Sequence, residues 1–364
     1  KVLHIIDTLW LGGAQTLLKN IFECKSNTAK SFLFALRKTT PSIHIDNSQK
    51  EIYNSNSRWS LFPLFRLMKI ITKKEIDIVH CHLPRSQIFG FILKLFLPKI
   101  RLVYHEHGDI YEKGWVLPLL LRILQLKVDL FIACSNSMKE ALLRRAMINS
   151  AKISVLYNCV EPCLPIENQT LAGKNRQRQK VGIEKNDFVV GFAGRLIERK
   201  GWDDFLRAAK ITIESKSGKG IMFLIAGVGP DESKLKTKIR KLGLSSHVVY
   251  VGFIDEMTRF YSIVDCCVMS SKWEGLPLVQ LEAMANEVPL ITYNSPGMDE
   301  VPTNNLDSLS VETGDVEGLS EKILLLKGNE NIRRRIKKAA RNTVMKMNPD
   351  IYLGNLDSLY HSIF

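Results

Sequence analysis

Two glutamates lie eight positions apart in the stretch Glu274-Gly-Leu-Pro-Leu-Val-Gln-Leu-Glu282, which joins a turn to a predicted helix. Eight positions is just over two helical turns, so both carboxylates can lie along one face. The glycine-containing turn lets the backbone approach a ligand, and the start of the helix offers unpaired N–H groups to an anion. This chemistry suits a phosphorylated sugar, although two acids at this spacing are also common on a solvated helix face.

The neighbouring segments favour a binding site over a solvated face. Residues 265–271 and 288–293 are apolar runs of strand length on either side of the predicted helix. Such a pattern predicts a strand-helix-strand crossover, which joins parallel strands. Glu274 then follows the carboxyl end of a parallel strand, where open α/β sheets bind their ligands.

The length and composition predict a two-domain globular protein. The chain has 364 residues, of which 45% are hydrophobic, and two domains are the natural expectation for this length. The seven cysteines are an odd number and predict free thiols in a reducing cytosol; Cys159 and Cys163 lack the second ligand pair of a metal site. We expect no signal peptide, because the first apolar run ends after five residues at Asp7, and no membrane-spanning segment, because no run of eighteen apolar residues occurs.

Alternating strand and helix patterns predict an α/β protein with two Rossmann-like domains facing a cleft. The predicted boundaries are 1–160 for the first domain, 161–187 for a polar, proline-marked linker and approach, and 188–345 for the second domain. Residues 346–364 form a terminal helix that is expected to pack back on the first domain.

Four motifs resemble those of the GT-B-fold retaining glycosyltransferases of the large family four. They are Gly12-Gly-Ala-Gln15, Gly194-Arg-Leu-Ile-Glu-Arg-Lys-Gly201, Ile225-Ala-Gly-Val-Gly-Pro230 and Glu274 through Glu282 followed by Ala283-Met-Ala. The resemblance covers nearly the whole chain. It implies transfer of a sugar from a nucleoside diphosphate sugar, with UDP favoured over GDP, and with no other cofactor.

For the second domain, the resemblance implies that Arg195 and Lys200 stabilise the diphosphate leaving group, while Arg199 is assigned to a solvated surface cluster. Glu274 corresponds to the acid near the donor sugar, and Glu282 to the acid that accepts hydrogen bonds from the ribose. Main-chain groups would hold the sugar and phosphate at Gly275, Leu276, Pro277, Leu278 and Val279, and the base at Gly252, Phe253 and Ile254. Phe253 could equally belong to the core.

For the first domain, the resemblance places Gly12 and Gly13 against the diphosphate. Gln15 stands where many family members have glutamate. His107 corresponds to the histidine that points at the donor sugar, with His105 as the competing candidate. Two further histidines, His80 and His82, are interpreted as structural or acceptor-side.

The implied reaction retains the anomeric configuration. The acceptor hydroxyl attacks the face from which the diphosphate leaves, and a diphosphate oxygen assists its deprotonation. A metal is not expected, because the two cations and the helix start supply positive charge. The alternatives are a sugar-nucleotide epimerase, a glycan phosphorylase and a non-catalytic basic binding module. No nucleic-acid-binding signature and no complete dinucleotide fingerprint occur in the sequence.

The charge is concentrated in the first domain. Residues 1–160 hold 23 Lys/Arg and 11 Asp/Glu, so they carry +12 of the total of +14. Apolar residues accompany the cations in 61–74, 89–101 and 115–127, a pattern typical of helices that rest on anionic lipid. The apolar residues could instead pack only on the sheet. The resemblance implies that the first domain takes the acceptor, a glycan or a lipid-linked intermediate of lipopolysaccharide or capsule. We expect a cytoplasmic protein, for which peripheral binding to the inner membrane face and packing of these residues on the sheet alone are both open.

Overall fold

The computed structural model describes residues 1–10, 12–24, 30–39, 42–45, 50–53, 60–112, 114–161 and 171–364. Within these ranges the chain divides into two compact units. The first unit consists of Lys1–Val160 together with Met347–Phe364, and the second of Glu161–Lys346. None of the helices that these residues form is long and apolar enough to cross a membrane.

The first unit is built on a parallel sheet. Its strands are β1 Val2–Thr8, β2 Ser31–Arg37, β3 Lys50–Ile52, β4 Ile78–His82, β5 Arg101–Glu106, β6 Leu130–Ala133 and β7 Ile153–Val155. They pair in the order β3-β2-β1-β4-β5-β6-β7. Most strands are buried on both faces and therefore appear in the sequence as continuous apolar runs. The edge strand β3 was not predicted, because Lys50-Glu51-Ile52 has no such run.

Helices cover both faces of this sheet. They are α1 Gly13–Glu23, α2 Pro63–Lys74, α3 Pro84–Phe96, α4 Asp109–Glu112, α5 Val116–Leu124, α6 Asn136–Arg145 and, at the end of the chain, α14 Pro349–His361. The crossovers through α2, α3 and α5 move in the same direction across the sheet, so right-handed connections place these helices on one face. The crossover through α1 moves in the opposite direction, and α1 contacts α14 on the other face.

The second unit repeats this plan. Its strands are β8 Phe188–Ala193, β9 Ile221–Ala226, β10 Val248–Gly252, β11 Cys266–Met269, β12 Leu290–Asn294 and β13 Leu309–Glu312. Its helices are α7 Leu171–Lys180, α8 Trp202–Glu214, α9 Glu232–Lys241, α10 Met257–Ile263, α11 Leu278–Ala285, α12 Val316–Gly328 and α13 Glu330–Val344. The strands pair in parallel in the order β10-β9-β8-β11-β12-β13. The predicted alternation of strands and helices is confirmed.

The segment expected as a linker, 161–187, contains helix α7, which is attached to the second unit. Arg178 of α7 is buried and donates hydrogen bonds to the carboxylate of Asp265 at 2.5 Å and to the carbonyl of Ile263 at 2.9 Å. Lys174 also lies 2.6 Å from the Asp265 carboxylate. The polar segment that suggested a linker thus contributes a buried arginine that pairs with a half-buried aspartate of the second unit. Cys163 lies outside the described residues.

Helix α14 belongs to the first unit. The side chain of Asn348 caps its amino end by accepting a hydrogen bond from the backbone N–H of Ile351 at 2.9 Å. Near its other end, the hydroxyl of Tyr360 lies 2.6 Å from Nδ1 of His80, a buried residue of β4. The contact joins the last helix to the centre of the first sheet.

We predict that Arg178→Ala destabilises the second unit by about 1 to 3 kcal/mol, because it removes a buried guanidinium that bonds to the Asp265 carboxylate and to the Ile263 carbonyl, and leaves these acceptors without that partner. Urea unfolding followed by circular dichroism measures this change. Arg176→Ala is the matched control, since Arg176 lies on the same helix with an exposed side chain. Equal stability of the two variants would show that the pair of Arg178 and Asp265 does not hold α7 in place.

Candidate functional site

The candidate site of the second unit is built around the carboxylate of Glu274. This side chain is buried, and both of its oxygens are bonded to cations. Lys200 donates a hydrogen bond to Oε1, and Arg199 donates one from Nη1 to Oε2 at 3.1 Å. The Arg199 guanidinium also lies over the ring of Trp273, 4.3 Å from its centroid, which fixes its orientation.

The cations keep this carboxylate ionised. Burial by itself raises the pKa of Glu274, but Coulombic attraction to Lys200 and Arg199, with hydrogen bonds from Lys200 and Ser271, outweighs it. The pKa of Glu274 is therefore lowered below its ordinary value. An ionised carboxylate is a hydrogen-bond acceptor and not an acid, so Glu274 can accept hydrogen bonds from sugar hydroxyls. The two cations exceed its charge, which leaves the site net positive.

Close packing of loops brings these residues together at the carboxyl edge of the second sheet. Gly201 ends the loop that carries Lys200, and with φ at 71° a Cβ atom there would lie 1.9 Å from the carbonyl oxygen of Ser270. Gly297, with φ at 79°, lies equally close to Glu274, since its Cβ would be 2.2 Å from the Glu274 carbonyl oxygen. Any side chain at either position would push the loops apart.

Helix α11 presents a second carboxylate. Glu282 is half-buried and accepts a hydrogen bond at 2.9 Å from the hydroxyl of Tyr261. Burial raises the pKa of Glu282, and the bond from Tyr261 partly offsets this effect. The prediction that both carboxylates lie along one helix face is wrong, because α11 begins only at Leu278 and Glu274 lies in the preceding loop. The proline at 277 marks this start, and the loop at Gly297 holds Glu274 separately.

Arg199 was assigned from the sequence to a solvated cluster, and this assignment is wrong. Its contacts with Trp273 and Glu274 leave it half-buried. The signal that could have found it is the tryptophan directly before Glu274, a residue that commonly stacks on guanidinium groups. Tyr261, the partner of Glu282, was also missed. Arg195 is exposed and lies two residues after the end of β8.

The other predicted positions of the second unit divide into two groups. The residues after Glu274 are largely buried: Gly275, Leu276, Pro277 and Leu278 are buried, and Val279 is half-buried. Val279 and Glu282 lie three positions apart, so they share a face of α11. Gly252 ends β10, and Ile254 is half-buried. Phe253 is 42% exposed and so lies outside the core.

In the first unit, Gly12 and Gly13 open helix α1 at the carboxyl edge of the sheet. Gly12 occupies the position before the helix, where no side chain caps the helix, and both glycines are exposed. The buried side chain of Gln15 donates a hydrogen bond to the carbonyl of Thr8 at 3.1 Å and lies against Gly12. Gln15 therefore stabilises the turn between β1 and α1.

Five histidines form a stack on one face of the first sheet. They are His4, His80, His82, His105 and His107, and neighbouring rings stand 4.2 to 5.4 Å apart. His82 lies at the centre, because its Nε2 is 3.1 Å from Nδ1 of His4 and its Nδ1 is 3.1 Å from Nε2 of His107. His107, at the end of this chain of bonds, is half-buried at the edge of the sheet.

These bonds couple the proton positions of three rings. A neutral imidazole has one donor and one acceptor nitrogen, so the proton on His82 determines which nitrogen of His107 carries its own. His82 and His80 were expected to be structural or acceptor-side, and His82 positions His107. The competing candidate His105 is buried, and neither of its ring nitrogens has a hydrogen-bond partner in the described part of the chain.

Burial keeps the stack neutral. It lowers the pKa of His4 and of His107 to about 3. Burial, with repulsion between neighbouring rings, also lowers the pKa of His80, His82 and His105 well below the usual range. The ring nitrogens of His4, His80 and His82, and those of His82, His105 and His107, lie within 4.8 Å of one another, so neutral rings in either triple could hold a metal ion. A metal at His82 would compete with its bonds to His4 and His107.

Comparison with known families matches both units. The sequence model of the family described as glycosyl transferases group 1 matches residues 173–343, and that of glycosyltransferase family 4 matches residues 31–163. The two matches lie in the second and first unit respectively.

Curated relatives align over most of their own length. The chain is 26% identical over 334 residues to the UDP-Gal:alpha-D-GlcNAc-diphosphoundecaprenol alpha-1,3-galactosyltransferase of Escherichia coli, covering 87% of this chain and 85% of that protein. It is 25% identical over 349 residues to the capsular polysaccharide biosynthesis glycosyltransferase CapM of Staphylococcus aureus, covering 90% and 91%.

A solved structure shares the fold over the whole chain. The crystal structure of Anabaena HepE in complex with UDP and glucose superposes with a TM-score of 0.84 at 18% identity and covers 100% of both chains. At this identity the likeness shows the fold alone. The predicted GT-B fold class is confirmed.

We predict that acid destabilises the first unit through the histidine stack. The pKa of His4 is about 3 in the folded state and about 6.5 when unfolded, so below pH 6.5 the unfolded chain binds the extra proton. Stability is therefore full above pH 6.5 and falls as pH falls towards 3, by about 2 kcal/mol from His4 alone at pH 5. Urea unfolding at pH 7.5 and pH 5.0 measures this difference.

His4→Leu is expected to shrink that pH dependence by about 2 kcal/mol. The control is His44→Asn, which replaces an exposed histidine outside the stack and is measured at the same two pH values. An undiminished pH dependence in His4→Leu would contradict the assignment to the buried stack.

Proposed function

Because the chain belongs to the group 1 family of glycosyl transferases, we propose that it moves a sugar from a nucleoside diphosphate sugar to a hydroxyl of a surface glycan under assembly. UDP is the expected nucleotide, since the E. coli relative is named for UDP-Gal and HepE was solved with UDP. The E. coli relative is named for a GlcNAc-diphosphoundecaprenol acceptor. The S. aureus relative is named for capsular polysaccharide biosynthesis. A glycan or lipid-linked acceptor of lipopolysaccharide or capsule is therefore proposed here.

The observation that carries this proposal is the buried Glu274 carboxylate with Lys200 and Arg199 bonded to it. Breaking a bond to a nucleoside diphosphate builds negative charge on the leaving oxygens. Two cations held by one carboxylate supply preorganised positive charge for those oxygens. Glu274 itself, being ionised, would accept hydrogen bonds from the hydroxyls of the donor sugar and hold its anomeric carbon.

The remaining second-unit groups would hold the rest of the donor. The amino end of α11, formed by Leu278 and Val279 after the turn, offers N–H groups to the diphosphate. Glu282 would accept hydrogen bonds from the ribose hydroxyls, with Tyr261 orienting its carboxylate. The main chain at 252–254 would contact the base. Arg195, exposed after β8, would add its charge to the diphosphate.

In the first unit, His107 would contact the donor sugar through the nitrogen that is not bonded to His82. Gly12 and Gly13 leave the turn before α1 open to a phosphate oxygen. We propose that transfer retains the anomeric configuration. The acceptor oxygen forms its bond on the face that the diphosphate leaves, and the proton of the acceptor hydroxyl passes to a diphosphate oxygen.

We further propose that transfer needs no metal ion, because Lys200, Arg199 and Arg195 would supply the charge that a divalent cation provides elsewhere. Assays with and without EDTA test this point, and loss of activity with EDTA that added magnesium restores would refute it.

We predict that Lys200→Ala lowers kcat for UDP release by about 10²- to 10³-fold, as expected for loss of one group that stabilises the leaving charge. Arg199→Ala is expected to lower kcat as well, since it frees one oxygen of Glu274. Glu274→Gln removes the charge that holds both cations and is expected to abolish most turnover. Initial-rate measurements with UDP-sugars give these values.

Lys272→Ala is the matched control, because Lys272 lies two residues before Glu274 and pairs 3.0 Å away with the exposed Glu198. It should retain activity. Thermal unfolding of each variant checks that its fold is intact. Equal losses in Lys272→Ala and Lys200→Ala, or full activity in Glu274→Gln, would count against this site. Conversion of the sugar without UDP release would identify an epimerase instead.

Thermal-shift measurements with UDP, GDP and ADP test which nucleotide the chain binds. A ligand that binds the folded state at 100 times its Kd stabilises it by about 2.7 kcal/mol. We predict the largest shift with UDP and a reduced shift in Glu282→Ala, which loses the ribose acceptor. Equal shifts with all three nucleotides would contradict recognition of the base.

A further inference from the structure

One face of the first unit is more apolar than packing requires. It is formed by α2, α3 and α5, which lie side by side because α3 contacts both of the others. We call this surface the α2-α3-α5 face. The histidine stack and α14 lie on the opposite face of the sheet, so this face takes no part in the site described above.

Helix α5 shows the excess most clearly. Leu117, Leu121 and Leu124 are buried, which gives the helix an ordinary inward stripe. A second apolar stripe points outward, and it consists of Trp115, Leu119, Ile123 and the following Leu126. Trp115 is 74% exposed and Leu126 is 79% exposed. A helix that is apolar on both sides has a second apolar environment to contact.

The neighbouring helices extend the apolar surface. Phe62 and Phe65, at the start of α2, are 70% and 73% exposed, and Leu61 beside them is also exposed. On α3 the exposed apolar side chains are Ile88, Leu95 and Phe96. Single exposed apolar residues are common on proteins, but a group on three adjacent helices marks an interaction surface.

The charge of the α2-α3-α5 face is strongly positive, and the exposed Glu75 that directly follows α2 is paired with Lys1. The sequence segments 60–74, 84–101 and 114–127 contain ten Lys and Arg residues and no Asp or Glu. Exposed cations among them are Lys69, Lys73, Lys74, Lys99, Arg122 and Lys127. Acids from other elements neutralise part of the rest, since Glu51 pairs with Arg66, and Asp129 pairs with Lys94 and Arg101.

We propose that the α2-α3-α5 face binds the surface of an anionic lipid bilayer. Exposed Phe, Leu and Trp among Lys and Arg fit the boundary between acyl chains and headgroups, where the apolar side chains insert and the cations meet phosphate. The outward stripe extends from residue 115 to residue 126 and so continues past both ends of α5, which is about 13 Å long. The helix therefore lies flat on the membrane rather than entering it by one end.

The binding follows from charge complementarity and apolar burial acting together. A protein partner would need an acidic, apolar surface of the same extent, whereas an anionic bilayer offers both properties everywhere. Exposed apolar side chains also lie just beyond both ends of α5, at Trp115 and Leu126, and this arrangement suits a planar partner.

The experiment is co-sedimentation of the full chain with vesicles of phosphatidylglycerol and phosphatidylcholine, beside vesicles of phosphatidylcholine alone. We expect binding to the anionic vesicles to be at least about tenfold tighter, and to weaken by a similar factor in 0.5 M salt, which screens the cations. Insertion of Trp115 is expected to shift its fluorescence to the blue. Light scattering reports the oligomeric state in the same buffer.

Two sets of substitutions separate the apolar and charged parts. Leu119→Ser with Ile123→Ser, and Lys69→Glu with Arg122→Glu, should each weaken binding about tenfold or more. Matched controls are Leu306→Ser with Leu325→Ser, and Lys216→Glu with Lys219→Glu, at exposed positions of the second unit. These controls should bind like the unchanged chain.

Three results would overturn the proposal. The first is equal binding of the chain to both kinds of vesicle. The second is unchanged vesicle binding when the α2-α3-α5 face carries the substitutions. The third is a dimer that dissociates in Leu119→Ser with Ile123→Ser, together with no binding of the unchanged chain to vesicles. The last result would assign the face to a second copy of the chain. None of these measurements uses sugar transfer. A failure of the membrane proposal therefore does not affect the proposed enzymatic function, and a failure of the enzymatic function does not affect the membrane proposal.

Discussion

The second unit depends on one buried charge. The Glu274 carboxylate lies below the protein surface, where an unpaired ion is costly, and it remains ionised only because Lys200 and Arg199 bond to it. The same bonds orient both cations. One interaction thus stabilises the loops and arranges positive charge beside an acceptor for hydroxyl groups. A net positive site beside a hydrogen-bond acceptor follows from this single arrangement.

Main-chain packing makes the arrangement possible. Lys200 and Glu274 come from loops after different strands, and these loops touch at Gly201 and near Gly297, where no side chain fits. The serine hydroxyl of Ser270 donates a hydrogen bond to the Gly201 carbonyl at 2.8 Å and closes the contact. The loops therefore hold their positions before any ligand binds, which reduces the reorganisation needed in catalysis.

The two faces of the first sheet serve different purposes. One carries the histidine stack, whose neutral rings link the buried His4 through His82 to His107 at the sheet edge. The other carries the apolar and basic helices α2, α3 and α5. Alternation of side chains along a strand explains the separation, because His80 and His82 point to one side while Cys81 between them lies against Gly90 of α3 on the other.

The sequence by itself determined the α/β class, the order of the elements and the family, because periodicity and loop motifs are local. It also singled out Glu274 and Lys200, whose side chains the structure joins by a hydrogen bond. Only the tertiary structure decided that Arg199 stacks on Trp273, that Glu274 precedes α11, that Arg178 attaches α7 to the second unit and that His82 bonds to His107. These contacts join residues distant in the chain, and no local pattern specifies which distant side chains meet.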